Sequence, residues 1–294
     1  MKIVIISVLF FGCILNAFSE EDTSWLKNQN IAALSSFLAP GSVQLYDGRY
    51  GVGFSFLGTA VGSRLLYEHY KGEEDYISVD DRIDDDLQEV YLNLTTYKSD
   101  LVLSIWLNNM FMSSYDAYKS RKDNNGISPK DDLDDLWFAP FDWKYLSRPT
   151  TYVPMLVAAF LGSNRDNIYA IRRSSDVSDS SLYAGSAFMS EATAVGEEAF
   201  FRGYVNTEMS DNYGEGIGLG GSSLIFGLAH TGDGNQADFL AATGIGGYLG
   251  WLHQRNGYEL GESVAVHYWF NFILAVAEIK HGAVIPLIEL NTKF

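Results

Sequence analysis

Apolar positions along this chain recur at helical spacing and fall into short blocks split by polar and glycine-rich breaks. The first block, Ile3 to Phe18, follows Lys2 and ends at Ala17-Phe18-Ser19, a small-x-small pattern before Glu20. Residues 1–19 are therefore expected to be a secretory signal peptide. Between Ile31 and Tyr70 two apolar pieces flank Pro40-Gly41, and neither reaches the roughly 20 residues of a comfortable membrane span. A helical hairpin, re-entrant or interfacial, is the expectation there. Residues 71–95 are acidic and read as solvated loop or helix face. Tyr97 to Tyr118 again shows helical spacing, interrupted by Asp100, Asn108 and Asn109. The polar, acidic stretch Ser120 to Asp135 is the best internal boundary. It separates an N-terminal membrane-associated region, 20–135, from a C-terminal domain, 136–294.

The second half continues the pattern. Tyr152 to Gly162 is a short apolar segment, and Arg172 and Arg173 follow in a Ser/Asp-rich loop. Helices are expected at about Ser181–Glu208, Ser222–Thr231, Ala237–His253 and Ser263–Ile279, with a glycine-dense turn at Gly214–Gly221 and another at Arg255-Asn256-Gly257. Gly246-x-x-x-Gly250 would let a neighbouring helix approach closely. All of these elements are helical, so the fold class is all-α.

Composition refines this picture. Hydrophobic residues make up 47% of the chain and charged residues 19%, yet the mean hydropathy of -0.02 is low for a wholly lipid-embedded protein. Short or polar-faced membrane segments joined by hydrophilic loops reconcile the two. A net charge of -17 without a basic patch excludes nucleic acid as the main partner. Cys13 stands alone, so neither a disulfide framework nor a multi-cysteine metal site exists. The five histidines, His69, His230, His253, His267 and His281, form no H-E-x-x-H zinc-protease helix.

Candidate chemistry lies between Gly196 and Asn271. Glu197-Glu198 precede Arg202, Phe226 precedes His230, and His267 precedes Asn271, each closing pair four residues apart and thus on one helix face. Taken singly, each motif is ordinary: Glu198–Arg202 would be a surface pair, and a lone histidine a core residue. Together, within 75 residues and on successive apolar helices, they suggest polar groups that must meet one another. Glu197, His230 and His267 are also plausible zinc ligands, which leaves a metal mechanism as the second choice.

The region from about Trp137 to the C-terminus resembles the CAAX protease and bacteriocin-processing family of membrane glutamic peptidases, which includes the type II CAAX prenyl proteases. Its E-E-x-x-x-R, F-x-x-x-H and H-x-x-x-N/D motifs correspond to the three constellations, and Gly244, Gly247 and Tyr248 also fit. The resemblance implies a polytopic helical membrane protein with a multi-helix peptidase core around a hydrated cavity. It implies Glu197 as general base, His230 holding the same water, Glu198 pinned by Arg202, and His267 and Asn271 donating to the oxyanion, with no cofactor. The implied partners are the lipid bilayer and a membrane-tethered or lipidated peptide. With the signal-like start, a multi-pass place in a bacterial envelope is expected. A non-catalytic binding, immunity or scaffolding protein of the same fold is the alternative.

Overall fold

The computed structural model describes residues 24–74, 88–92, 94–123, 126–163, 169–173, 177–230 and 236–281. The expected signal peptide and Cys13 lie outside these residues.

Helix α1 (Gln29–Leu38) starts where the Asn28 side chain accepts from the backbone N–H groups of Asn30 and Ile31. It ends at Pro40-Gly41, leading through the short α2 (Ser42–Tyr46) into α3 (Tyr50–Glu74). Gly41 makes this hairpin possible. Its φ is +87°, and a Cβ there would run into the Gly53 carbonyl. Beneath the turn, Ser113 Oγ accepts from Gly41 N at 2.9 Å, and Gln44 donates to Asp116 at 2.8 Å. Both acceptors belong to α4 (Leu94–Arg121), the long helix on which the hairpin rests.

After α4 come the short α5 (Leu133–Leu136) and α6 (Trp143–Leu146), then α7 (Pro149–Ser163), which opens with proline at its first position. The next helix departs from the expected single Ser181–Glu208 element. It is built as α8 (Asp179–Glu197), a π-helical stretch (Glu198–Asn206) and α9 (Thr207–Tyr213). Only the π-helical winding is new, and hydrophobic spacing does not reveal it. Helices α10 (Glu215–Ala229), α11 (Gln236–Arg255) and α12 (Gly261–His281) complete the chain.

Two expectations are corrected, the turn at Gly214–Gly221 and the loop at Arg172 and Arg173. Gly214–Gly221 is not a turn: only Gly214 turns, at φ +92°, and Gly218 and Gly221 lie inside α10. They are small because α9 packs against them; a Cβ on Gly218 would meet Ser210, and one on Gly221 would meet Met209. The all-α expectation holds for the architecture, which adds to its helices only two five-residue strands, β1 (Gln88–Leu92) and β2 (Tyr169–Arg173), paired in parallel. Arg172 and Arg173 thus sit on a strand rather than in a loop, and part of the acidic 71–95 stretch is strand too. Each carries β-branched and aromatic residues in a run too short to show a period. Finally, among the described residues no helix is long and apolar enough to cross a membrane. At 15 residues, α7 and α10 reach only about 22 Å each. Both nevertheless leave large apolar side chains exposed, among them Leu156, Phe160, Leu224 and Leu228.

The principal core joins α4, α8 and α12. Tyr115, Ala194, Val195, Ala199, Leu260, Val264 and Tyr268 form one buried cluster. Polar ties hold its flanks. Tyr115 donates to the Asp131 backbone carbonyl at 2.7 Å, while the Asp131 carboxylate accepts from Leu260 N at 2.6 Å. Burial raises the Asp131 carboxyl above its usual range, opposed by that backbone hydrogen bond. The N-terminal helices are fastened at Glu208, which accepts from Asn30 at 2.8 Å, Tyr118 at 2.9 Å and Lys122 at 3.1 Å. The same lysine, helped by Ile127 N–H, holds the Asp211 carboxyl below its usual range.

Glu208→Ala should remove a three-way junction and leave Lys122, whose side chain is 5% exposed, with Asp211 as its remaining partner. A loss of about 2–3 kcal/mol is expected, because hydrogen bonds to charged groups are the stronger class. Equilibrium unfolding beside the exposed Glu68→Ala checks this, and equal midpoints would contradict the junction.

Candidate active site

Helices α8 and α12 run antiparallel: Glu198 meets His267 near the middle, and Gly203 meets Leu260 further along. A Cβ on Gly203 would clash with the Tyr115 ring, so the glycine permits this close approach. Gly246 and Gly250 do the same for α10 on α11, as their spacing suggests; added Cβ atoms would contact Phe226 and Leu219.

Six side chains come from four segments. Glu198 Oε1 accepts from Arg202 Nη1 and from His267 Nδ1, both at 2.8 Å. Arg202 also donates to the Gly246 carbonyl at 3.2 Å, and its guanidinium lies 4.2 Å from the centre of the Phe226 ring. Phe226 packs its ring against His230, with centroids 4.2 Å apart. The phenylalanine of the F-x-x-x-H motif is therefore a wedge between cation and imidazole. His230 caps α10, and its Nδ1 lies 2.7 Å from the Phe226 carbonyl.

These bonds fix the tautomers. An imidazole Nδ1 facing a carbonyl or a carboxylate must carry the proton, which leaves Nε2 of His230 and His267 pointing elsewhere. Both aim at Glu197: His230 Nε2 lies 3.7 Å and His267 Nε2 3.8 Å from Oε2. Glu197 is fully buried, and neither of its oxygens has a partner in the protein, nor do the two Nε2 atoms. Three buried polar groups thus converge at distances just too long for direct hydrogen bonds, the spacing at which a bridging group satisfies them.

The structure brings together five of the six expected residues. Asn271 lies one turn beyond His267 on α12, with a buried, unpartnered Oδ1; no described hydrogen bond joins it to the others. Among the described residues no group of three or more His, Cys, Asp or Glu is arranged to hold a metal ion. Of the further residues that fit the family resemblance, Tyr248 donates to the Thr150 carbonyl at 2.6 Å and braces α11 on α7. Reasoning from sequence missed Gly203 and Ser263. Ser263 is buried one turn before His267, and its hydroxyl donates to the Leu260 carbonyl at 2.9 Å. A small residue four positions before His267 was the available signal.

Arg202→Ala strands Glu198 in a fully buried setting and should cost on the order of 3–5 kcal/mol. Thermal unfolding beside Lys144→Ala, whose side chain is 51% exposed, measures it. Equal shifts would mean that the pair carries no buried load.

No curated protein and no solved structure matches the chain. Residues 180–273, which run from α8 into α12 and hold all six side chains, match the model of the Rce1-like type II CAAX prenyl endopeptidases.

Proposed function

We propose that the protein is a membrane-embedded endopeptidase that hydrolyses a peptide bond with a water activated by Glu197 and His230. The observation that carries the reading is the convergence of two Nε2 atoms on the unpartnered Glu197 carboxylate. A water between them gives one proton to Glu197 Oε2 while its other hydrogen points to His230 Nε2. Its oxygen attacks the carbonyl carbon of the scissile bond. Glu197 then returns the proton to the departing amine nitrogen as the C–N bond breaks.

The developing oxyanion needs donors. His267 already gives its Nδ1 proton to Glu198, so it donates from Nε2 only as the imidazolium. Asn271 would add its Nδ2 from the next turn. Glu198 is thereby a scaffold, committed to Arg202 and His267, and Glu197 is left without a partner in the protein. A membrane-associated protein substrate, lipidated or otherwise tethered, fits the matched family. The exposed apolar faces of α3, α7 and α10 fit a location in a bilayer, with a bacterial envelope as the proposed compartment.

Glu197→Gln keeps shape and removes basicity. It should lower hydrolysis by about 10²–10⁴-fold and leave the unfolding midpoint nearly unchanged. Membrane-peptide profiles of cells carrying wild-type and Glu197→Gln protein supply the substrate, and purified protein the rate. A chelator should change nothing. Inactivation by the chelator would move the chemistry to a metal held by Glu197, His230 and His267. Identical peptide profiles would favour the non-catalytic alternative.

A further inference from the structure

The row of unpartnered buried polar atoms does not stop at the catalytic cluster. Glu191, on α8, is 8% exposed, and its Oε1 is sealed with no partner. It lies seven residues before Glu198, two turns along the same face, which is the face that places Ala194 and Val195 against α12. On α12 the opposing face carries Val264, His267, Tyr268 and Asn271, and Tyr268 packs in the same cluster. Because the two helices run antiparallel, Glu191 and Asn271 lie at the same end of the seam, beyond the Glu198–His267 contact. Tyr268 and Phe272 stack at 5.8 Å and make that end aromatic.

A carboxylate in such a place is costly without a compensating charge. No described hydrogen bond, lysine or arginine supplies one, and the six-residue mechanism does not use Glu191. We propose that Glu191 selects a cationic side chain, lysine or arginine, on a peptide bound at that end of the seam. The inference rests on the peptidase reading for the meaning of that peptide. Aromatic rings beside a carboxylate suit an alkylammonium or guanidinium, since the ring faces add cation–π attraction. The net charge of -17 draws basic peptides in preference to acidic ones. The position follows from helix geometry. Glu191 stands about 9 Å along the axis from Glu197, and an extended peptide covers that distance in about three residues. The selected residue therefore lies about three positions from the scissile bond, on the side toward the start of α8.

The test separates selection from hydrolysis. Dye-labelled apolar peptides in detergent micelles, with one lysine walked through the central positions and a norleucine parent, are bound to the Glu197→Gln protein. One lysine register should bind at least about tenfold tighter than the parent. Glu191→Gln, added to that background, should return it to the parent's affinity, and Glu191→Lys should favour the matching glutamate peptide. Equal binding of lysine and norleucine peptides, or a lysine preference that survives Glu191→Gln, would overturn the inference. Cleavage of the same peptides by protein with Glu197 intact is scored separately. If lysine selection holds and no peptide is cut, the peptidase reading fails while the cation site stands.

Discussion

The Glu198 carboxylate, clamped between Arg202 and His267, is the contact on which the rest of this molecule depends. It lies at the point where the π-helical stretch begins and ties α8 to α12 inside the buried core. An ion pair so buried gains little over an apolar pair of the same shape, yet losing either partner is expensive. Its value is therefore positional. By occupying Glu198, it commits one of two adjacent acids to structure. By accepting the hydrogen bond of His267 Nδ1–H, it sets the tautomer that turns Nε2 toward Glu197. Phe226 extends the same logic, since the ring that receives Arg202 also packs on His230.

The π-helical winding matters for the same reason. With more than four residues per turn, it widens the helix where Glu198, Phe201, Arg202 and Gly203 must face α4, α10, α11 and α12 at once. Phe201 packs on Phe226, while Gly203 admits Tyr115 and Leu260. Such bulges often occur at functional sites, where regular winding would aim side chains less well. Further out, Glu208 fastens α1 and α4 to α9. The N-terminal helices thus buttress the site-bearing helices, although the family match covers only residues 180–273.

Much of the candidate site was legible in the sequence. The four-residue spacings of Glu198–Arg202 and His267–Asn271 are local, and local spacing survives folding. Gly246 and Gly250 likewise announced a close helix contact, and the structure places α10 there. What stayed hidden was non-local or lacked a period. Gly218 and Gly221 read as a turn because glycine is equally at home in turns and under close-packed helices, and only the partner, α9, decides. Five-residue strands carry no readable alternation, so β1 and β2 were missed. The polytopic expectation came with the family resemblance, and among the described residues no helix is long and apolar enough to cross a membrane. Glu191 gave no signal either, since a lone glutamate in an apolar helix acquires meaning only from what does or does not face it.

The central claim is that Glu197 and His230 act as one unit on one water. A double-mutant cycle on kcat/KM tests it most directly, using Glu197→Gln, His230→Ala and the double variant on a single substrate. Groups that share one reacting molecule are strongly non-additive. The account predicts that the double variant is no slower than the slower single variant. Losses that multiply, with the double variant slower by the product of the two single effects, would show independent roles and contradict the shared water.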